Sequence, residues 1–356
     1  MSPERDGEKS TSVFPATHAI LGTVGTGAAI FGCAGLELQA DEAAFFRDFD
    51  PAGFILFARN VDCPAQVRRL TADLRNCVGR DAPIFVDQEG GRVQRLRAPH
   101  WRDWTPPLDF VAAAGKNAAR AMYLRGALIG AEHLALGLDG NCAPTLDVAG
   151  KATHPFLKNR CYGFDPDTVS KAGRALADGL LAAGVLPVMK HMPGHGRSHV
   201  DTHHDLPRVT ADAETLHDSD FAPFRALNDL PLAMTAHLVF TAIDPDHPAT
   251  QSPEMIKVIR EQIGFQGVLM TDDLNMQALS GSLADRTRAS MGAGCDLALH
   301  CKGVLSEMRD VAGQAGTMSG AARARMSRAL TFRRAAALDI AALDAELGSI
   351  MGQTHG

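Results

Sequence analysis

The sequence lacks the marks of several protein classes. Across its 356 residues there is no excess of positive charge: the formal net charge is −6, with both signs dispersed. The basic footprint that nucleic-acid binding needs is therefore missing. No block of five or six like charges marks an acidic or basic tail. The seven cysteines, at 33, 63, 77, 142, 161, 295 and 301, are odd in number and contain no CxxC pair. This leaves a zinc ribbon without support and reads as cytosolic thiols. Outside one segment near the N-terminus, no stretch reaches the roughly 18 uncharged apolar residues of a spanning helix, so no membrane partner is expected.

That one segment, 19–36, has the apolar look of a short signal sequence with Cys33 as a lipid-attachment site. The residues before it, MSPERDGEKS, mix acids with bases, whereas a signal sequence opens on positive charge, and the segment holds five glycines. It reads as a flexible leader, 1–28, running into a first strand. GTVGTGAAIFG at 22–32 looks like a dinucleotide-binding glycine motif, but it precedes the first strand and leads into no helix.

What is present is an ordinary globular composition, 46% apolar and 21% charged, enough to bury a real core. Short apolar runs at 29–33, 53–57, 83–87, 138–142, 186–190, 232–236, 267–271 and 296–300 alternate with helical patterns at 41–48, 64–78, 116–136, 166–183, 211–226, 253–263 and 303–315. Continuous apolar runs read as strands buried on both faces, as in a parallel sheet. Eight of them alternating with helices predict a single-domain (β/α)8 TIM-type barrel over 29–345. An outer C-terminal helix is expected at 321–346 and a tail at 346–356. Proline opens two of the helices, at 64 and 166, and Gly184 follows a helix end where a left-handed residue is often needed. No internal repeat and no linker divides the chain.

In such a barrel the strands' C-terminal ends build the active site. Strand three ends in Asp87, strand five in Lys190 and His191, strand six in His237 and strand seven in Thr271, Asp272 and Asp273. The segment KHMPGHGRSHVDTHHDLP, 190–207, packs five histidines, two aspartates, a lysine and an arginine into 18 residues. A metal site suits those residue types, but HExxH is absent and no HxH ends the first strand. A solvated loop is a second reading. The third is glycoside hydrolysis, with a rigidly placed carboxylate as nucleophile and a group titrating near neutrality as acid/base. Asp272 suits the first task. His203 suits the second, with Asp201 able to orient its ring.

VDQEGGRVQR, KNRCYG, KHMPGHGRSHVDTHHDLP and MTDDLNMQAL, in this order, closely resemble the motifs of the family 3 glycoside hydrolases. More narrowly, they are similar to the bacterial single-domain β-N-acetylglucosaminidases of peptidoglycan recycling. The resemblance covers about 29–315. It implies Asp272 as nucleophile, with Asp273 outside that role, His203 as acid/base and Asp201 as its partner. It also implies Asp87, Arg95, Arg160, Lys190 and His191 as sugar-binding residues, with an internal salt bridge as the alternative reading for each. The substrate it implies is terminal β-linked N-acetylglucosamine on a 1,6-anhydro-N-acetylmuramyl fragment, with or without peptide. The enzyme would be a cytoplasmic monomer needing no metal or other cofactor. Met192 stands where the family usually has Phe, and Cys161-Tyr162 where it has Ser-Phe, which puts substrate preference in question. His199 and His204 have no role. Transfer of the glycosyl group to phosphate, or a sugar-binding protein without turnover, are the open alternatives.

Overall fold

An apolar run with no polar face must be covered on both sides. In the computed structural model of the chain, which describes residues 24–198 and 206–352, each of the eight runs forms such a strand. They are β1 (Gly27–Gly32), β2 (Pro51–Leu56), β3 (Ile84–Val86), β4 (Gly140–Asn141), β5 (Leu186–Met192), β6 (Leu232–Thr235), β7 (Val268–Asp273) and β8 (Leu297–His300). Each pairs in parallel with its sequence neighbours, and β8 pairs with β1, closing the barrel in strictly sequential order. Representative registers are Phe54 opposite Ile84, Val188 opposite Leu232 and Ala29 opposite Ala298. The expected fold is the observed one. The first strand starts two residues earlier than read, inside the stretch taken as leader; residues 1–23 lie outside the described residues.

Helix punctuation follows local chemistry. Pro64 opens the helix Pro64–Val78, which ends on Gly79 at φ 64°. The Asp165 side chain caps Pro166–Ala182 by accepting the Thr168 N–H at 2.9 Å, and Gly184 follows it at φ 83°. That helix lies against Ala118–Leu134 at glycine contacts. A Cβ on Gly126 would stand 2.3 Å from the Leu176 carbonyl oxygen, and one on Gly179 2.1 Å from that of Tyr123. No helix among the described residues is long and apolar enough to cross a membrane.

Three helical expectations need correction. At 253–263 only Pro253–Lys257 is α-helical, and Val258–Gln262 widens, the Ile263 N–H reaching back to Val258. The pattern at 211–226 is not one α-helix: Ala213–Thr215 widens at Leu216–Asp220, where the Phe221 N–H reaches back to Leu216, before Ala222–Ala226. Pro223 has no N–H to continue a regular ladder. The stretch 321–346 is two helices, Gly320–Leu330 and Ile340–Gly352, joined by an extended strap, and the second runs through the expected tail boundary. The strap's Arg333 reaches Asp139 and Asp81, and its Ala336 N–H donates to the Ala182 carbonyl at 2.8 Å. These contacts at the base of the barrel outweigh the helical propensity of an alanine-rich run.

Candidate active site

At the strands' C-terminal ends a pocket of about 420 Å³ is lined by Asp87, Arg92, Arg95, His154, Phe156, Arg160, Lys190, His191, His195, Asp272 and Asp273, with Phe57, Met234, Met276 and Leu299 among its apolar walls. Asp272 and every expected sugar-binding residue therefore converge there. His203, Asp201, His199 and His204 lie outside the described residues.

The inner wall is an ion network. Asp87, just past β3, takes Lys190 Nζ at 3.0 Å on one oxygen and Arg95 Nη2 at 3.1 Å on the other. Glu89, two residues on, takes the Arg160 guanidinium in a two-point fork (2.9 and 2.8 Å) and Lys190 Nζ at 2.5 Å. The forked geometry suits arginine and carboxylate. Burial alone would raise both carboxyls, but Lys190 and Arg95 hold Asp87 well below the usual range, and Arg160 and Lys190 bring Glu89 down to about 2. Burial also opposes the charge of Lys190, yet Asp87 and Glu89 keep its pKa above the ordinary value. Arg95 and Arg160 thus line the pocket and also form ion pairs.

Behind this wall, His191 Nδ1 lies 2.7 Å from Asp147 Oδ2, and Arg160 Nη2 lies 3.3 Å from His191 Nε2. Asp147 Oδ1 accepts the backbone N–H of His191 at 3.2 Å and of His195 at 2.7 Å. The peptide bonds Lys190–His191 and Met192–Pro193 are cis. The strand runs on into a clamped turn: a Cβ on Gly196 would stand 1.9 Å from the Val148 carbonyl oxygen, and the His154 N–H donates to the Ser198 carbonyl at 3.0 Å. His195 is buried, which pushes its pKa down to about 4 despite Asp147.

The adjacent aspartates at the end of β7 have different environments. Asp273 Oδ1 accepts the N–H groups of Cys301 and Asn275, both at 3.2 Å, so it ties the end of β8 to that of β7. Asp272 Oδ1 accepts the Asp273 N–H at 2.8 Å and the carboxylate faces the pocket. Burial would raise the Asp272 pKa, but His237, His191, the Asp273 N–H and Lys190 outweigh it and keep the group ionised. His237, from the end of β6, braces this strand end: Nε2 lies 3.1 Å from the Asp273 carbonyl oxygen and Nδ1 2.7 Å from the Thr250 hydroxyl. An ionised carboxylate facing a pocket rich in hydrogen-bond donors can attack an electrophilic carbon of a polyhydroxylated ligand.

Sequence reasoning missed Glu89 and Asp147. Glu89 lies in the same run as Asp87, and period-two spacing could have placed both on one side of the chain. Asp147 comes after the expected end of β4, but the chain continues alongside β5 through a Thr145–Lys190 bridge. Among the described residues no three His, Cys, Asp or Glu side chains converge in a way that would hold a metal ion.

The family model for the glycosyl hydrolase family 3 N terminal domain matches residues 23–331. A β-hexosaminidase of Alkalilimnicola ehrlichii is 38% identical over 283 residues, covering 77% of this chain and 80% of its own. A family 3 β-N-acetylglucosaminidase from Paenibacillus superposes with a TM-score of 0.80 at 29% identity, over 92% of this chain and 66% of that one. NagZ from Neisseria gonorrhoeae, in complex with N-trifluoroacetyl-D-glucosamine, superposes with a TM-score of 0.79 at 27% identity, over 93% of this chain and 97% of that one. With the family model covering most of the chain and an ionised aspartate at the end of its seventh barrel strand, the protein belongs to the family 3 glycoside hydrolases.

Proposed function

We propose that the protein is a retaining exo-β-N-acetylglucosaminidase that removes terminal β-linked N-acetylglucosamine from (anhydro)muropeptide fragments, working as a monomer in the cytoplasm without metal or cofactor. The observation that carries this is the pocket itself: an ionised Asp272 shares it with Asp87, Lys190, His191, Arg95 and Arg160. The names of the β-hexosaminidase relatives and the N-acylglucosamine bound to the Neisseria protein support it.

The sugar's hydroxyls would meet Asp87 as acceptor and Lys190, Arg95 and Arg160 as donors. An Asp272 oxygen attacks the anomeric carbon, the bond to the leaving oxygen breaks, and protonated His203 gives that oxygen its proton. Water then attacks the same carbon from the vacated side. His203 takes the water's proton, the ester to Asp272 breaks, and the β-configuration returns. Asp201 orients the His203 ring. The clamped turn at His195 and Ser198, bonded to pocket-lining His154, leads directly into the segment that carries both residues.

The test is hydrolysis of an aryl N-acetyl-β-glucosaminide by chelator-treated protein, followed by proton NMR of the first sugar released. Release of the β-anomer, with the aryl β-glucoside left intact, is the expected result. A first-formed α-anomer, or a requirement for added metal, would overturn the reading. Repeating the reaction in phosphate distinguishes hydrolysis from phosphorolysis by whether a sugar phosphate appears.

A further inference from the structure

The cations of the pocket fall into two groups. Arg95, Arg160 and Lys190 each lie against Asp87 or Glu89. Arg92 lines the same pocket but is exposed, and among the described residues it meets no carboxylate at ion-pair distance. Its guanidinium carbon lies 4.7 Å from the centre of the Phe156 ring, against 5.8 Å for that of Arg160. One aromatic ring thus carries a paired inner guanidinium and an unpaired outer one. The turn that presents Arg92 is well fixed: Gly90 and Gly91 have φ of 110° and 60°, the Gly91 N–H donates to the Trp104 carbonyl at 2.7 Å, and Arg97 donates to the Gly91 carbonyl at 2.8 Å. His154 belongs to the same rim. Its Nδ1 accepts the Phe156 N–H at 3.3 Å, which leaves the Nε2 N–H as a second donor.

We infer that Arg92, with His154 on the same rim, recognises a carboxylate on the leaving group, and so selects substrates whose aglycone is anionic. This rests on the reading of the pocket as a β-N-acetylglucosaminidase site and narrows its substrate class. Lys190 and His191 are buried, so the N-acetylglucosamine unit fills the deep end, and the aglycone points outward past Arg92. A guanidinium already stacked on an aromatic ring has lost part of its freedom and presents a planar fork that matches a carboxylate. A lactyl ether carboxylate on the leaving sugar has this chemistry, as does the carboxylate of an attached peptide. Because Arg92 is exposed, salt will screen the contact.

The experiment compares two substrates that differ only in charge: N-acetylglucosamine β-1,4-linked to N-acetylmuramic acid, and the methyl ester of its lactyl group. Wild-type protein at low salt is expected to favour the acid about three- to ten-fold in kcat/KM, mostly through KM, in line with an exposed but geometrically matched ion pair. The preference should shrink in 0.5 M sodium chloride, collapse towards one in Arg92→Gln and largely survive in Arg92→Lys. The same acid-to-ester ratio in Arg92→Gln as in wild type, or a ratio near one in wild type at low salt, would overturn the inference while leaving the glycosidase reading intact. No release from either disaccharide or from the aryl N-acetyl-β-glucosaminide by wild-type protein would instead overturn the glycosidase reading, and this inference with it.

Discussion

Asp147 holds the His191 ring and the turn that follows with a single carboxylate. One oxygen lies 2.7 Å from His191 Nδ1, and the other accepts the N–H groups of both His191 and His195. Burial would raise the Asp147 pKa, but contacts with His191 and His195 bring it down to about 2. His191 Nδ1 faces this fixed anion, which leaves Nε2 to face Arg160. The contacts therefore run from Asp147 through His191 and Arg160 to Glu89, and Asp147 would act on the proposed sugar site by positioning its residues.

Asp147→Asn keeps the size of this side chain but cannot accept from the ring and both N–H groups in the same way. We expect kcat/KM to fall by up to about a hundred-fold, the usual cost of a small misplacement of binding groups. The expected split is a larger effect on KM than on kcat, measured with the aryl N-acetyl-β-glucosaminide, and an unfolding midpoint below that of wild type. A variant with wild-type KM would show that the His191 ring does not depend on this carboxylate.

Asp272→Ala removes the proposed nucleophile. Turnover should drop by at least about 10³-fold, while the unfolding midpoint stays near that of wild type because Asp272 forms no ion pair among the described residues. The adjacent Asp273→Ala should behave differently. It loses the tie to the Cys301 and Asn275 N–H groups, so its first effect is a lowered midpoint. Circular dichroism melts beside steady-state rates separate the two, and equal losses of activity with equal melts would contradict the assignment.

Glu89→Gln should be among the most destabilising changes in the chain. Among the described residues it leaves Arg160 with no carboxylate at ion-pair distance and Lys190 with Asp87 alone, which Arg95 also shares. Breaking a buried pair in this way costs about 3–5 kcal/mol. Urea unfolding would show a lower midpoint, and sugar binding should weaken with it as Arg160 loses its two-point anchor. A midpoint within error of wild type would mean that water or ligand groups already share the charge.

Stability should fall on acidification. His133 is fully buried in the helix Ala118–Leu134, and neither ring nitrogen has a hydrogen-bond partner among the described residues. Burial pushes its pKa down to about 3, and that of His195 to about 4, against about 6.5 in the unfolded chain. Below about pH 6.5 the unfolded chain takes up protons that the native protein cannot, so stability is fully present above that pH and is lost as pH falls towards the native values. His133→Leu removes one of the two groups and also two unsatisfied polar atoms. Its urea midpoint should exceed that of wild type at pH 7.5 and decline less between pH 7.5 and pH 5. An unchanged slope would place the acid sensitivity elsewhere.

The barrel was legible because its strands are continuous apolar runs, and only a sheet covered on both faces uses such runs eight times. Asp87, Lys190, His191 and Asp272 were legible for a related reason: each is an abrupt polar residue at the end of one of those runs. Glu89 was hidden because a carboxylate beside another carboxylate looks like a solvated pair until Arg160 and Lys190, 71 and 101 positions away, arrive to neutralise it. Asp147 was hidden because β4 has only two residues in regular pairing, and the irregular extension that carries Asp147 has no periodic signature. The strap between the last two helices was misread because its conformation is imposed by Asp139 and Asp81, far away in the sequence.

That strap has a bearing on how the chain reaches its native state. Arg333 contacts Asp139 across 194 residues of sequence. During synthesis the segments of all eight strands leave the ribosome before Arg333 does, so at that stage Asp139 and Asp81 at the barrel's base still lack this counter-ion. The base of the barrel is completed only when a residue that follows all eight strands brings a positive charge to a carboxylate made before the fourth.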